Sequence, residues 1–324
     1  MSRYKTQSLA GIEPLRPRVG VPLRRDPNGK LSQLGFRPHT IDTELGAIRV
    51  WEAEGGGSFP TIACLHGYSF ESADLAALLE ALRPYTRRII AADLLGHGES
   101  QLRNPELTSA AVWRGVQIAL DTVIEEPAVL YGHSLGGFAA LKYALERPGN
   151  IARLILHAPS GASMSQRELA HVLGVFEVDD LVSAEKLVAH LWEREPGVDH
   201  GALATQWLNR LSDQTLRSLL RTRIPGDSLT TSHLSGLHVP TLVLWAERDR
   251  ILPPRCLDFF GSLPDARLEI VPGWGHCATE RDVPQLAKRI HEFLASQPPD
   301  EKPAGMQPIT GVAVVVGKHP RQAW

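Results

Sequence analysis

The strongest structural signal in this chain is the stretch Pro127-Ala128-Val129-Leu130-Tyr131-Gly132-His133-Ser134-Leu135-Gly136. An apolar run of strand character leads to a serine that has a glycine two residues away on each side. A run of helical composition, 137–145, follows at once. This order predicts a sharp strand-to-helix turn that presents the Ser134 hydroxyl at a helix N-terminus. Glycine suits the flanking positions because so tight a turn leaves no room for side chains.

A serine nucleophile needs a base that takes its proton and an acid that orients the base. His276 lies in the glycine-rich loop 272–277, which follows the last strand-like run. Asp249 lies just past the preceding strand-like run, 241–245. Loops at the carboxyl ends of neighbouring strands often carry catalytic groups. We therefore predict Ser134 as the nucleophile, His276 as the base and Asp249 as the orienting acid.

The developing oxyanion of an acyl-transfer reaction needs N–H donors. The first candidate is the backbone N–H of Leu135, directly after the serine. The second is the N–H of Tyr68, in the loop His66-Gly67-Tyr68 that follows the strand-like run 61–65. Gly67 permits the close backbone approach that such a donor requires.

Four other polar residues have side chains that suit catalysis, and two of them remain alternatives for a catalytic role. Glu247 is two residues nearer its strand than Asp249 and stays the alternative acid. His66 could act as a second base, but we expect it to hydrogen-bond within its own loop. Asp93 precedes the serine in a glycine turn, where we expect it to cap backbone N–H groups. His133 is expected to pack against the sheet.

Strand-like and helix-like runs alternate along most of the chain, which predicts an α/β fold with a mainly parallel sheet. Two alternating runs joined at Gly46 predict an antiparallel hairpin, 41–45 and 47–51. The runs predicted as buried strands are 61–65, 88–92, 128–131, 154–156, 241–245 and 267–271. The runs predicted as helices are 73–82, 108–123, 135–146, 254–263 and 283–295. Continuously apolar strands imply that both faces of the sheet are covered.

The composition of the chain changes at four places and so divides it into parts. Residues 1–37 are rich in proline and arginine and predict an irregular N-terminal arm. Residues 38–160 and 235–296 carry the alternating pattern of an α/β core. Residues 161–234 show amphipathic helices without a strand run and predict an inserted helical cap. Residues 297–324 form a C-terminal tail, whose strand-like segment 309–316 could join a homo-oligomer.

Composition and charge exclude several classes of protein. The 324 residues are 43% hydrophobic and carry a net charge of −2, which gives no field that would attract nucleic acid. No run reaches the roughly 18 apolar residues of a membrane span. The cysteines are odd in number and widely separated in sequence: Cys64, Cys256 and Cys277. This pattern argues against a disulfide framework, so we expect a cytoplasmic protein. Histidine spacing predicts no metal site, and no phosphate-loop motif occurs, so no cofactor is expected.

Three further stretches resemble those of a known superfamily: His66-Gly67-Tyr68, Asp93-Leu94-Leu95-Gly96-His97-Gly98-Glu99-Ser100 and Gly273-Trp274-Gly275-His276. Together with the serine turn, they resemble the α/β-hydrolase superfamily over roughly residues 38–296. The resemblance implies a mostly parallel eight-stranded sheet flanked by helices, with an inserted helical cap. The chain order of nucleophile, acid and histidine is the one expected there. The capped organisation is similar to monoacylglycerol-lipase-like and meta-cleavage-product hydrolases.

The resemblance implies a serine hydrolase that cleaves a carboxylic ester of a small, moderately apolar molecule. Hydrolysis of a C–C bond in a diketone, of a thioester or of a lactone would use the same residues and stays open. A serine at position 134 argues against epoxide hydrolases and haloalkane dehalogenases, which have aspartate there. The arm and the tail leave a different class open, a ligand-binding receptor or scaffold with incidental hydrolysis. Some apolar side chains of the cap are expected to line an acyl pocket.

Overall fold

The computed structural model describes residues 29–192, 199–222 and 228–296. Within them, one sheet contains β1 (Arg37–Asp42), β2 (Gly46–Glu54), β3 (Ile62–Leu65), β4 (Arg88–Ala92), β5 (Gln101–Leu102), β6 (Ala128–His133), β7 (Ile151–His157), β8 (Thr241–Ala246) and β9 (Ala266–Val271). The helices are α1 (Lys30–Gln33), α2 (Ala76–Leu82), α3 (Ser109–Val123), α4 (Leu135–Glu146), α5 (Gln166–Val175), α6 (Leu181–Leu191), α7 (His200–Leu211), α8 (Gln214–Thr222), α9 (Thr231–Leu234), α10 (Cys256–Phe260) and α11 (Val283–Ala295). Short 3₁₀ helices lie at Ser72–Leu75, Arg83–Tyr85 and Pro148–Asn150.

Eight strands cross the sheet in the order β1-β2-β4-β3-β6-β7-β8-β9, and β5 pairs with β2 at its side. The strands from β4 to β9 along this path are parallel to one another. The hairpin of β1 and β2 is antiparallel, and β2 is also antiparallel to β4 and β5. The predicted mostly parallel eight-stranded sheet with an antiparallel hairpin is therefore confirmed. The bounds of the hairpin differ, because the first strand ends at Asp42 and the turn lies at 43–45 rather than at Gly46. Strand β5 was not predicted, because two residues are too few to show a period.

Apolar layers cover both faces of the sheet, as the continuously apolar strands predicted. In β3, Ala63 and Leu65 belong to the layer that contains side chains of α3 and α4. Ile62 and Cys64 alternate with them and face the layer of α2 and α11. Because successive strand residues point to opposite faces, a strand buried on both sides must be apolar at every position.

Helix ends differ from the predicted runs where local hydrogen bonding requires it. The helix predicted at 254–263 is shorter, because the N–H groups of Cys256 and Leu257 bond three residues back, to Pro253 and Pro254. Such bonds form a tight turn before α10 rather than a first α-helical turn. Helix α1 lies in the segment predicted to be irregular. Its single buried side chain, Leu31, is too little for a periodic signal.

Between β7 and β8 the described chain forms the helices α5–α9, and we call this segment the helical insertion. Its two ends meet, because the Leu229 N–H donates to the Gly161 carbonyl at 2.8 Å and the Ser163 N–H donates to the Leu229 carbonyl at 3.2 Å. The domain boundaries given above stay predictions, and residues 1–28 and 297–324 lie outside the described residues. No helix in the described ranges is long and apolar enough to cross a bilayer.

Candidate active site

The turn between β6 and α4 has the strained geometry that its sequence predicts. Ser134 adopts φ 52° and ψ −114°, a region that residues with side chains seldom occupy. A Cβ atom on Gly132 would lie 2.3 Å from the Gly136 carbonyl oxygen. A Cβ atom on Gly136 would lie 2.4 Å from the carbonyl oxygens of Leu65 and His66. Only glycine therefore fits on either side of Ser134.

A chain of hydrogen bonds joins the three residues predicted as nucleophile, base and acid. Ser134 Oγ lies 2.9 Å from His276 Nε2, and His276 Nδ1 lies 2.8 Å from Asp249 Oδ2. A carboxylate only accepts hydrogen bonds, so Nδ1 carries the proton and Nε2 accepts from the Ser134 hydroxyl. All three residues are buried. This arrangement makes the histidine ready to take a proton from the serine.

The two candidate acids, Asp249 and Glu247, hold different groups. The second oxygen of Asp249, Oδ1, accepts the N–H groups of Ile251 at 2.8 Å and Leu252 at 2.9 Å. These bonds fix the carboxylate, while Oδ2 faces the imidazole. Glu247 instead accepts the Gly273 N–H at 2.9 Å, at an exposed site. Asp249, and not Glu247, therefore contacts His276.

The predicted oxyanion donors lie beside the nucleophile. Leu135 is the first residue of α4, where an N–H has no partner within its helix and the helix dipole favours negative charge. The loop that carries Tyr68 packs against the serine turn, since a Cβ on Gly67 would lie 3.0 Å from His133 Nδ1 and 3.3 Å from Ser134 Cβ. Side-chain volume at position 67 would therefore disturb the packing of the loop that carries Tyr68 against the serine turn.

The polar residues with expected structural roles have hydrogen bonds that suit those roles. His66 Nδ1 donates to the Gly67 carbonyl at 2.8 Å, and His66 Nε2 accepts the Leu94 N–H at 3.0 Å. Asp93 accepts the N–H groups of Ser72 and Glu99 at 2.7 and 2.8 Å. Both side chains therefore hold loops next to the site, as predicted.

Two contacts to the candidate site had no signal in the sequence. His133 Nε2 donates to the main-chain carbonyl of His276 at 3.0 Å, so it holds the histidine loop as well as packing. Ser160 donates to the Ser134 carbonyl, from its N–H at 3.0 Å and from its hydroxyl at 3.2 Å. Both residues thereby stabilise the backbone on which the candidate catalytic atoms are mounted. Ser160 belongs to no motif with a characteristic spacing, and the variable position that His133 occupies in the serine turn does not indicate its partner.

Burial favours the neutral form of several histidines and of a cysteine around the site. It lowers the pKa of His97 and of His157 to about 3, and it also lowers the pKa of His133 and His66. Burial raises the pKa of the Cys277 thiol, which argues against a reactive thiolate beside His276. Within residues 29–192, 199–222 and 228–296, no three acidic, histidine or cysteine side chains group as metal ligands.

A mainly apolar cavity adjoins Ser134. Tyr68, Ser134, Leu135 and Ser160 belong to its lining. Apart from Ser228, the rest of its lining is apolar and comes from the helical insertion and the Asp249 loop: Met164, Leu169, Val172, Leu173, Phe176, Leu219, Leu220, Ile251 and Leu252. An apolar wall with a few directed polar groups suits the hydrocarbon part of a small molecule.

Several known proteins are similar to this chain in sequence. Residues 62–289 match the alpha/beta hydrolase family. The sn-1-specific diacylglycerol lipase ABHD11 of Mus musculus is 33% identical over 268 residues, which cover 75% of this chain and 83% of the mouse protein. A 2-hydroxy-6-oxononadienedioate/2-hydroxy-6-oxononatrienedioate hydrolase of Comamonas testosteroni is 28% identical over 207 residues, 56% of this chain and 68% of that protein.

A solved structure shares the fold at lower sequence identity. Carboxylesterase CesB from Bacillus subtilis superposes with a TM-score of 0.63 and 21% identity, over 83% of this chain and 95% of the esterase. The family match covers most of the present chain, and the sheet order and the serine turn are consistent with it. This chain belongs to the α/β-hydrolase family.

Proposed function

We propose that this protein is a serine hydrolase that cleaves a carboxylic ester of a small, moderately apolar substrate through an acyl-enzyme on Ser134. The observation that carries the proposal is the hydrogen-bonded series Asp249–His276–Ser134, with distances of 2.8 and 2.9 Å. The apolar cavity beside Ser134 supports a hydrocarbon acyl group as the bound portion.

In the acylation step, Ser134 Oγ attacks the ester carbonyl carbon while its proton moves to His276 Nε2. The carbonyl oxygen becomes an oxyanion, which the N–H groups of Tyr68 and Leu135 stabilise. The C–O bond to the alcohol then breaks, and the alcohol leaves with the proton from His276. Asp249 holds the imidazole in the required tautomer and stabilises its cation.

Water releases the acyl group by the same sequence of proton transfers. His276 takes a proton from the water as its oxygen attacks the acyl carbon. The second tetrahedral intermediate collapses, the bond to Ser134 Oγ breaks, and Oγ regains its proton from His276. The products are a carboxylic acid and the free serine.

Hydrolysis of a C–C bond is the second candidate, because the Comamonas relative is named for hydrolysis of a 2-hydroxy-6-oxo dienedioate. The mouse relative is named a diacylglycerol lipase, and it is the more similar of the two over a longer stretch. We therefore favour the ester. Thioesters and lactones share its acyl chemistry and remain further members of the substrate panel.

The proposal is tested by initial rates on aryl and alkyl esters of increasing acyl length, with a thioester, a lactone and a vinylogous diketone beside them. We expect the esters to be hydrolysed fastest and Ser134→Ala to abolish turnover. Ser232→Ala, a change on the exposed start of α9, is the matched control and should keep the wild-type rate. A strong preference for the diketone would favour C–C hydrolysis, and turnover that survives Ser134→Ala would contradict the mechanism.

A further inference from the structure

Arg210 in α7, a residue of the helical insertion, binds the segment Ser69–Asp74, which directly follows Tyr68. Its guanidinium donates to both carboxylate oxygens of Asp74, from Nη1 at 2.6 Å and from Nη2 at 3.0 Å. Nη2 also donates to Glu71 Oε1 at 3.0 Å, and Nη1 donates to the Ser69 carbonyl at 3.5 Å. A single residue of the insertion thus binds three points of the segment.

The segment Ser69–Asp74 begins with a residue in a strained backbone conformation. Ser69 adopts φ 57°, which is unfavourable for a residue with a side chain and persists only where the surroundings impose it. On the core side, the Ser72 N–H donates to Asp93 Oδ1 at 2.7 Å. On the insertion side, the Tyr68 hydroxyl donates to the Leu216 carbonyl at 3.0 Å. The strained residue adjoins Tyr68, so these contacts also fix the candidate oxyanion donor.

Packing holds the Arg210 guanidinium in this position. It lies 5.6 Å from the ring centre of Trp207, and that ring lies 4.8 Å from the ring of Phe70, which belongs to the segment Ser69–Asp74. The Arg210 side chain is 19% exposed and those of Glu71 and Asp74 are 22% and 25% exposed. A half-buried, bidentate pair orders its partners more strongly than a surface ion pair does. Lysine has no planar fork with which to reproduce it.

We propose that Arg210 is a positioning residue that keeps the Tyr68 N–H aimed at the oxyanion, so that the oxyanion hole is complete only while α7 is docked on Ser69–Asp74. The inference rests on the proposed function, because this N–H has a role only if an oxyanion forms at Ser134. Donors must be held within a fraction of an ångström to stabilise developing charge. Docking of the helical insertion is thereby coupled to the chemistry.

The ion pairs of Arg210 with Glu71 and Asp74 are accessible to dissolved ions from one side. A cleft of about 850 Å³ has Arg210, Glu71 and Asp74 in its wall, and Ser134 is not part of its lining. Dissolved ions therefore reach the pair without entering the apolar cavity. High salt should weaken the pair by screening, and wild-type kcat should fall more steeply with salt than that of an Arg210 variant.

The test compares kcat and KM of Arg210→Met and Arg210→Lys with those of Arg217→Met. Arg217 is the matched control because its hydrogen bonds within the described part of the chain go to Asp179 and to main-chain carbonyls of the insertion. Loss of one oxyanion donor lowers kcat by about 100- to 1,000-fold, so a loosened donor should cost about 10- to 100-fold. We expect that loss in Arg210→Met with KM and the pH profile unchanged, a smaller loss in Arg210→Lys, and none in Arg217→Met.

Asp74→Asn gives a second route if Arg210→Met does not fold, which thermal unfolding would reveal. We expect Asp74→Asn to lower kcat, and the double variant Arg210→Met/Asp74→Asn to lose little more than either single variant. Losses that multiply, or equal kcat values for Arg210→Met and Arg217→Met, would overturn the inference while wild-type turnover upholds the proposed function. A wild-type chain without hydrolase activity would contradict the proposed function and this inference together.

Discussion

Asp249 and Glu247 stand two residues apart, yet only one of them faces the imidazole of His276. The Asp249 carboxylate is buried and bonded to two N–H groups and to the imidazole, whereas the Glu247 carboxylate holds the Gly273 N–H at the surface. Removal of the Asp249 charge should therefore affect catalysis much more than removal of the Glu247 charge.

We expect Asp249→Asn to lower kcat/KM by about 10,000-fold, because an amide would stabilise the wrong tautomer of His276. Glu247→Gln is its control and should change kcat/KM by less than about threefold. Both values come from steady-state kinetics on the best ester of the panel. Equal losses in the two variants would contradict the assignment of the acid.

The sequence alone led to the side chains that surround Ser134 but not to those that act on them from a distance. Ser134, Asp249 and His276 each follow a strand-like run, and parallel strands bring such positions to one edge. Arg210 has no such signal, because it belongs to no motif and is an isolated charged residue near the end of the amphipathic helix α7. Its partners lie about 140 positions earlier in the chain, and only the docking of α7 on the core brings them together.

At the scale of elements, the junction of β6 and α4 depends on the absence of side chains. Gly136→Ala would place a methyl group 2.4 Å from two carbonyl oxygens of the neighbouring loop. The main chain must move to relieve this contact, so we expect a loss of about 1–3 kcal/mol in the free energy of unfolding. Activity should fall with it, because the Leu135 N–H and Ser134 move together.

Gly149→Ala is the control for that change, because a Cβ atom there meets no atom within 4 Å and the position is exposed. We expect its free energy of unfolding to differ from wild type by no more than about 0.5 kcal/mol. Urea denaturation of both variants measures the difference. If Gly136→Ala were as stable and as active as Gly149→Ala, the steric description of the turn would be wrong.

The agreement between predicted and observed elements follows from their length. Helices α4 and α11 have the bounds predicted from their periodic runs, Leu135–Glu146 and Val283–Ala295. Strand β5 and helix α1 were not predicted, since two and four residues carry too little pattern and form through tertiary contacts. Long periodic segments reveal themselves in a sequence, and short ones depend on what they pack against.

For the whole molecule, burial of neutral histidines makes stability depend on pH. The pKa of His97 and of His157 is lowered by burial to about 3, against about 6.5 in an unfolded chain. Between these values the unfolded chain binds one more proton per histidine than the folded chain does. Stability is therefore full above about pH 6.5 and is lost as the pH falls, by about 1.4 kcal/mol per pH unit for each group.

Urea denaturation at several pH values between 5 and 7 measures this dependence. We expect His97→Gln to have a shallower slope of unfolding free energy against pH than wild type, because one of the groups is removed. Carboxylates contribute to both slopes alike, so the difference isolates the histidine. Identical slopes for wild type and variant would show that His97 is protonated as readily in the folded state as in the unfolded one.

The sequence predicted the fold of the core, but it did not predict how the helical insertion packs on that core. Its mainly parallel sheet was predicted from alternating strands and helices, and the family match agrees with it. The packing of α5 and α8 over Ser134, which forms the apolar cavity, depends on contacts between segments without motifs. Amphipathic helices show which of their faces is buried, but they do not show against what.

Covalent labelling with a fluorophosphonate, followed by mass mapping of the modified peptide, tests most directly whether Ser134 is the nucleophile. The phosphorus centre is attacked by a serine only when a base activates it, as His276 would. We expect one label per chain, on Ser134, with labelling abolished by Ser134→Ala and strongly slowed by His276→Gln. A label on any other residue, or labelling that persists in Ser134→Ala, would contradict the proposed mechanism.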